Sequence, residues 1–550
     1  VVRPIAAALL VATALAFAGC GVDAGGRDDG AASVNEQPAK GDTFIESSIG
    51  NVSALIPNIA NDGASHDVGG QIYDGLITRD KNLNIVPAMA ESWTFSDDCR
   101  HLTFRLRDGI RWHDGQPFTS ADVVFTHAAM VHPKTPTPYR EDFQAVESIE
   151  AVDPRTVTIT YKTPYAKALS SWSMYMLPKH LLESYVQDGK LREAPQNLRA
   201  PVGTGPYKFK EWRSGEKVVL VANPDFYEKS RPYISRLVYR VIPSQATIFL
   251  ELKAKGVDGA SLTALQYKRQ TDYPAFKKNY VRFRYSTPSV AYMALNLKDP
   301  RFADKRVRHA IAHAINKQEL IEHVILGLGS AATGPYLPGT WAHNPDVKGI
   351  AYDPARARAL LAEAGWRDRD ADGYLVKDGK PFAFEILSNQ GNDERKKVSE
   401  VIQAALRDVG IKVEVRMIEW ATLLKEHVRK RNFEALVLGW GLGLDPDRYS
   451  LFHSSKTRPE DFNVASYANA EVDELLERGR ATCHVEERAR AYRRVHEILA
   501  DDIPVVFLYH RDSLPVISSR VRGMVPSPAG IMYNFNEWFV PRELQRYTAG

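Results

Sequence analysis

FAFEILSNQGNDERKKVSEVIQAALRDVGIKVEVRMIEWATLLKEHVRKRNFEALVL, residues 382–438, is the stretch on which the fold turns. Phe382, Phe384 and Ile386 alternate with the period of a half-buried strand. Val398, Ile402 and Leu406 then recur at helical spacing, and Gly410 ends that helix. Ile411, Val413, Val415 and Met417 alternate again. A helix is predicted over 420–431 and a buried strand over 433–438. Strand, helix, strand, helix, strand is the order of an α/β unit with a mostly parallel sheet.

Upstream, Val307, Ile311 and Ile315 predict one amphipathic helix over 304–325. Asp353 and Pro354 supply a cap and a first-turn proline for the next helix, and Gly365 stops it. Nearer the N-terminus the grammar changes. Residues 102–106 alternate, and Asp108-Gly109 followed by Ile110 and Trp112 predicts a hairpin. A second hairpin is expected at Asp153-Pro154, with Val157, Ile159 and Tyr161 on one face. Thr119-Ser120-Ala121-Asp122 reads as a helix start between them. Residues 202–241 are strand-rich, with turns at Gly203, Gly205-Pro206 and Ser214-Gly215. A hairpin-rich half thus precedes a wound α/β half.

At 550 residues the chain exceeds what one core serves, and three or four structural units are expected. Lys and Arg number 71 against 67 Asp and Glu, a balance that argues against a nucleic-acid-binding protein. Three cysteines exclude a disulfide scaffold and a cysteine-built zinc ribbon. Cys99 and Cys483 are read as either a pair or two buried thiols; spacing leaves both open. Arg3, the apolar run 5–18 and the small residues before Cys20 form a signal peptide, too short to span a bilayer. Residues 21–40 hold no aromatic residue and read as a flexible tether.

In open α/β sheets a ligand sits beyond the carboxyl ends of the strands. The strand ending at Leu438 runs into Gly439-Trp440-Gly441-Leu442-Gly443-Leu444-Asp445-Pro446-Asp447. Glycines let a backbone approach a ligand, and Trp440 offers a flat face; core packing is its other reading. Asp445 reads as a helix cap ahead of Pro446, or as a ligand contact. His309 and His313 sit one turn apart but lack the Glu of a zinc motif, and read as a surface pair. Asp368 to Gly373 copies half a calcium loop, with Gly379 where its last carboxylate belongs; a turn explains it as well. Trp112-His113-Asp114-Gly115 reads as turn chemistry. No nucleophile elbow, Walker loop or zinc spacing occurs, so the expectation is a protein that is not an enzyme, with no catalytic residue, metal or cofactor.

Several segments resemble family 5 of the extracytoplasmic solute-binding proteins, the peptide- and nickel-binding class of ABC transporters. They are LRDGIRWHDGQPFTSADVVFT (106–126), VGTGPYKFKEW (202–212), NPDFY (223–227), RFADKRVRHAIAHAINKQELI (301–321), YDPARARALLAEAGW (352–366), LGWGLGLDPD (438–447) and IPVVFLY (503–509). Phe17-Ala18-Gly19-Cys20 likewise resembles a lipobox, with Phe17 where Leu is preferred; it implies acylation at Cys20.

The resemblance implies a two-lobed α/β fold of the periplasmic-binding-protein type (type II) with an extra subdomain in lobe one. Its implied order is signal peptide 1–19, acylated Cys20 and tether 20–41, and lobe one 42–290 with the hairpin-rich subdomain near 77–190. Lobe two follows over 291–510, and 511–550 returns to lobe one. The hinge is then crossed near 285–295 and again near 510. Ligand contacts carried over are Asn61 and Gly63 in lobe one, and Trp440, Gly441, Leu442 and Asp445 in lobe two. Relatives place an aspartate a few residues after the tryptophan to hold the ligand's amine; Leu442 or Gly443 stands there instead.

The implied function is a lipid-anchored extracytoplasmic receptor, monomeric, in the periplasm or on the cell surface. It closes over a peptide or similar small polar solute and passes it to an ABC permease, without nucleic acid. A nickel chelate is the alternative ligand. A chaperone or adaptor without a transport role, and an envelope hydrolase using His113 and Asp114, are the readings from other classes.

Overall fold

The computed structural model describes residues 37–443 and 445–547. The signal peptide and Cys20 lie outside them. Two mixed sheets organise the molecule. In the first, Gly41–Ser48 runs parallel to Ile234–Val241 and Gly259–Ser261. Lys217–Ala222 and Tyr207–Arg213 extend one edge as an antiparallel hairpin turned at Gly215. Pro515–Ser518 and Tyr280–Arg282 complete the other edge, so C-terminal residues close a sheet begun at residue 41.

The second sheet contains the three strands expected from 382–438, here Ala383–Asn389, Lys412–Ile418 and Ala435–Gly441, paired in parallel. The helix Asp393–Asp408 packs across them with Val398, Ile402 and Leu406 buried. The sheet as a whole is mixed rather than mostly parallel. Ser289–Leu295 enters antiparallel to Ala435–Gly441, and Val505–Ser513 leaves antiparallel to Ser289–Leu295. Val505–Ser513 follows the helix Val485–Asp502 and points the same way as Ala435–Gly441, so among these strands it is Ser289–Leu295, entering from the first lobe, that opposes the rest.

A four-stranded antiparallel sheet stands on the first lobe, in the order Ala90–Phe95, His101–Leu106, Thr156–Tyr161, Val146–Asp153. The hairpin at Asp153-Pro154 is present, and Val157, Ile159 and Tyr161 are buried. The hairpin expected at Asp108-Gly109 is not. His101–Leu106 already has neighbours on both edges, so 110–112 forms only a bridge from Arg111 to Pro117. The helix Ser120–Val131 begins with the expected capping box between Thr119 and Asp122.

The helix expected over 304–325 is divided. Lys305–Ala314 ends at Ile315, whose backbone is extended. Asn316 then accepts the Gln318 and Glu319 N–H groups and caps a new start, so the hydrophobic period continues across a break. The helix expected over 420–431 runs from Trp420 to Val428 in two registers.

The chain passes between the two main sheets twice, at 282–285 and at 513–515. One core layer belongs to each lobe alone, and a third is shared, running from Phe384, Ile386 and Val437 of the second sheet to Ala260, Tyr280 and Val516 of the first. Phe44, Tyr207, Phe535 and Trp538 fill that of the first lobe. Aliphatic and aromatic layers cover both faces of the second sheet.

Candidate functional site

The carboxyl ends of the parallel strands in the second lobe face the first lobe, and the two meet closely. A Cβ on Gly50 would lie 3.1 Å from Cδ1 of Trp420, across the boundary. Gln245 donates its N–H to the carbonyl of Gly391 (3.1 Å), and its side-chain oxygen accepts the N–H of Asp393 (2.8 Å). Asn61 Oδ1 accepts from Arg429 Nη2 at 3.2 Å. Gly63 opens the helix Gly63–Ile72 and is exposed, with no atom within 4 Å of where a side chain would start.

On the second lobe the loop after residue 438 separates into two faces by simple alternation. Gly439, Gly441 and Gly443 are exposed and leave their main chain bare. Trp440 and Leu442 point the other way. The indole stacks on Tyr292 at 3.8 Å between ring centroids and meets Phe452 edge-on. Its buried position in that aromatic stack belongs to the core, the other reading its sequence allowed. Leu442 is buried and donates its N–H to Pro288 O at 2.7 Å.

Asp445 is not a helix cap. The short helix starts later, at Tyr449, whose N–H is accepted by Asp447. Asp445 instead accepts from Arg488 Nη2 at 2.6 Å, and Asp447 pairs with Arg480 Nε at 2.9 Å. Both carboxylates of the loop are therefore engaged within the protein.

Three ionisable groups near this boundary were not singled out by the sequence. Arg395, in the first turn of the helix Asp393–Asp408, donates to Asn389 Oδ1 at 2.7 Å and lies over Trp420 at 6.0 Å. Its Nη2 would be 3.5 Å from a Cβ on Gly439, so the guanidinium borders the bare main chain. Burial holds it below the usual arginine range, and it has no ion-pair partner among the described residues. Glu46 and Asp67 belong to the first lobe, on the strand Gly41–Ser48 and the helix Gly63–Ile72. None of the three stands in a recognisable motif; only the packing of distant segments assembles them.

Away from the crossings, the hairpin subdomain holds the second lobe by a separate set of bonds. Cys99 and Cys483 form a disulfide, which settles the two readings left open by spacing. Beside it Arg480 donates to Asp142 Oδ1 and to Tyr165 Oη, each at 2.8 Å. Lys456 pairs with Glu141 at 3.0 Å, both side chains 7% exposed.

The remaining sequence candidates are accounted for locally. His113 Nε2 lies 3.0 Å from the carbonyl of Gly205, and burial drives its pKa down to about 4. Asp114 pairs with His180 instead of His113. His309 and His313 each engage a backbone carbonyl, of Asp501 and Ala351. In 368–373 the Asp370 side chain accepts the Asp372 and Tyr374 N–H groups, forming the turn of a small hairpin. No cluster of three metal-ligating side chains occurs among the described residues. No described helix is long and apolar enough to cross a membrane.

Comparison with known proteins agrees with this architecture. The family model of the bacterial extracellular solute-binding proteins, family 5, matches residues 84–461. The oligopeptide-binding protein AppA of Bacillus subtilis is 31% identical over 514 residues, covering 92% of this chain and 93% of that protein. Its structure in complex with a nonapeptide superposes with a TM-score of 0.87 at 30% identity, covering 92% of this chain and all of that one (100%). NikZ from Campylobacter jejuni, in complex with Ni(L-His), gives a TM-score of 0.81 at 29% identity, over 90% and 99% of the two chains. The two-lobed fold and these matches together show that the chain belongs to family 5 of the bacterial extracellular solute-binding proteins.

Proposed function

We propose that this protein captures a peptide between its lobes and delivers it to the permease of an ABC importer. It does so as a monomer, anchored outside the cytoplasmic membrane through acylated Cys20. In this reading the lobes span about 42–290 and 291–510, with the hairpin subdomain near 77–190 and 511–550 returning to the first. They rotate about the two crossings, and the closed form is selected because a ligand touches both walls at once.

The observation that carries the reading is the exposed, side-chain-free main chain at Gly439, Gly441 and Gly443, bordered by Arg395. Bare peptide groups offer donors and acceptors to another backbone whatever side chains that backbone bears. Arg395 supplies a fixed cation for a ligand carboxylate. Asn61, Gly63 and Gly441 contact the ligand in this arrangement. Trp440, Leu442 and Asp445 hold the loop in shape, through Tyr292, Pro288 and Arg488. The likeness to a nonapeptide-bound structure supports the same ligand class.

Native mass spectrometry of protein begun near Lys40 and purified without refolding tests it. Denaturation is expected to release a series of peptide masses. A single non-peptide mass overturns the assignment. The likeness to a structure holding Ni(L-His) favours a nickel chelate as second reading; calorimetric binding of nickel with histidine, and none of peptides, decides for it.

A further inference from the structure

Glu46 and Asp67 line one pocket in the wall of the first lobe. Glu46 comes from the strand Gly41–Ser48 and Asp67 from the helix Gly63–Ile72 that packs over it. Glu46 Oε2 is buried without a hydrogen-bond partner. Gly259, its neighbour in strand register, has no side chain; a Cβ there would fall 1.8 Å from that oxygen. Asp67 lines the pocket and is exposed. Neither carboxylate has an ion-pair partner among the described residues. Burial, then Asp67, raises Glu46 well above the usual carboxylate range. Burial, then Asp62, brings Asp67 to about 6.

Two such carboxylates are costly to hold together unless something positive joins them. The rest of the pocket indicates what. Its sides are Val52, Val68, Val218 and Val241, with the ring of Tyr239. Tyr239 donates its hydroxyl to the backbone carbonyl of Asp67 at 2.9 Å, which fixes the helix turn bearing that carboxylate. Gly50 lines the same pocket and meets Trp420 of the second lobe, so the mouth lies on the inter-lobe boundary. Apolar walls ending in two acids match a methylene stem ending in a cation. A metal ion is the poorer match, since no third ligating side chain joins the pair among the described residues. The second lobe's loop cannot serve instead, because Asp445 and Asp447 are already paired with arginines.

We propose that this pocket is a subsite for a cationic group of the solute, a lysine- or arginine-like side chain, with Glu46 and Asp67 as its counter-charges. The assignment rests on the cleft between the lobes being the solute site. It makes the protein selective for basic solutes through the first lobe.

Calorimetry with a tetra-alanine series tests it, one lysine being placed at each position in turn and compared with norleucine at the same place. At one position the lysine peptide is expected to bind about tenfold tighter. Glu46→Gln and Asp67→Asn are each expected to shrink that ratio. Agmatine, a cation without peptide groups, is the second probe and is read by the shift of the melting temperature. If the peptides bind and lysine never outdoes norleucine, the subsite is overturned and the peptide reading stands. If no peptide binds but agmatine stabilises the wild type and not Glu46→Gln, the subsite stands and the peptide reading falls. If neither probe acts, both fall.

Discussion

His496 is fully buried, at 0% exposure, and its ring is wired for the neutral form. Nδ1 accepts the Asn344 N–H at 3.2 Å, which leaves Nε2 to donate to Thr333 Oγ1 at 3.0 Å. A second proton on Nδ1 would face that donor. Burial, and then His343 with its ring 5.1 Å away, lower the imidazole to about 4. The folded value lies below the ordinary 6.5, so the stabilising contribution is present above about pH 6.5 and is lost as pH falls towards 4. His496→Gln is therefore expected to cost stability at pH 7.5 and to flatten the decline between pH 6.5 and 4. A shift of this size corresponds to about 3 kcal/mol at the acid end. Urea denaturation across that range measures it, and parallel curves for the two proteins would refute it. Nothing in the sequence marks His496, just as nothing marked Arg395, Glu46 or Asp67. Their chemistry comes from the groups packed around them, which lie far away along the chain. Trp440 and Asp445 were visible because glycines and a proline surround them, yet local sequence could not show that Tyr292 and Arg488 would occupy their faces.

Elements announced themselves where local chemistry alone specifies them. Asp353 with Pro354 marks a helix start, and Asp353 accepts the Arg356 N–H at 2.9 Å. Asp353→Ala is expected to lower unfolding free energy by about 1 kcal/mol, with Asp353→Asn close to wild type. Chemical denaturation of the three proteins tests this, and an unchanged alanine variant would show the cap to be dispensable. The same local logic placed the capping box at Thr119 and Asp122, and the three parallel strands. It failed where one element depends on another. The hydrophobic period over 304–325 is unbroken, but Asn316 offers the backbone a new cap and divides the helix. The strand His101–Leu106 has partners on both edges that lie before it and some fifty residues after it, as its pairing with Thr156–Tyr161 shows. A tempting turn at Asp108-Gly109 could not compete with those ladders. The resemblance to the family supplied the lobes, because their strands are brought together by crossings that no window of sequence contains.

Among the described residues three covalent connections join the two halves, where two would suffice for a hinge. Two are the chain crossings at 282–285 and 513–515. The third is the Cys99–Cys483 bond, 384 residues apart in sequence, joining the hairpin subdomain to the second lobe. Asp142–Arg480 and Glu141–Lys456 lie along the same seam and can separate at modest cost, whereas the disulfide cannot. With the bond intact, rotation about the crossings is limited to the slack of one covalent strap. Reduction is then expected to widen the range of opening and to speed ligand exchange, while leaving the closed contacts available. Small-angle scattering of the ligand-free protein should show a larger radius of gyration for Cys99→Ser/Cys483→Ser than for the oxidised wild type. Saturating ligand should bring the two together. Dissociation, followed by displacement of a labelled peptide, should be faster in the double variant. Equal radii and equal dissociation rates would mean that the subdomain yields enough to let the lobes part with the bond in place, and the strap would then serve stability alone.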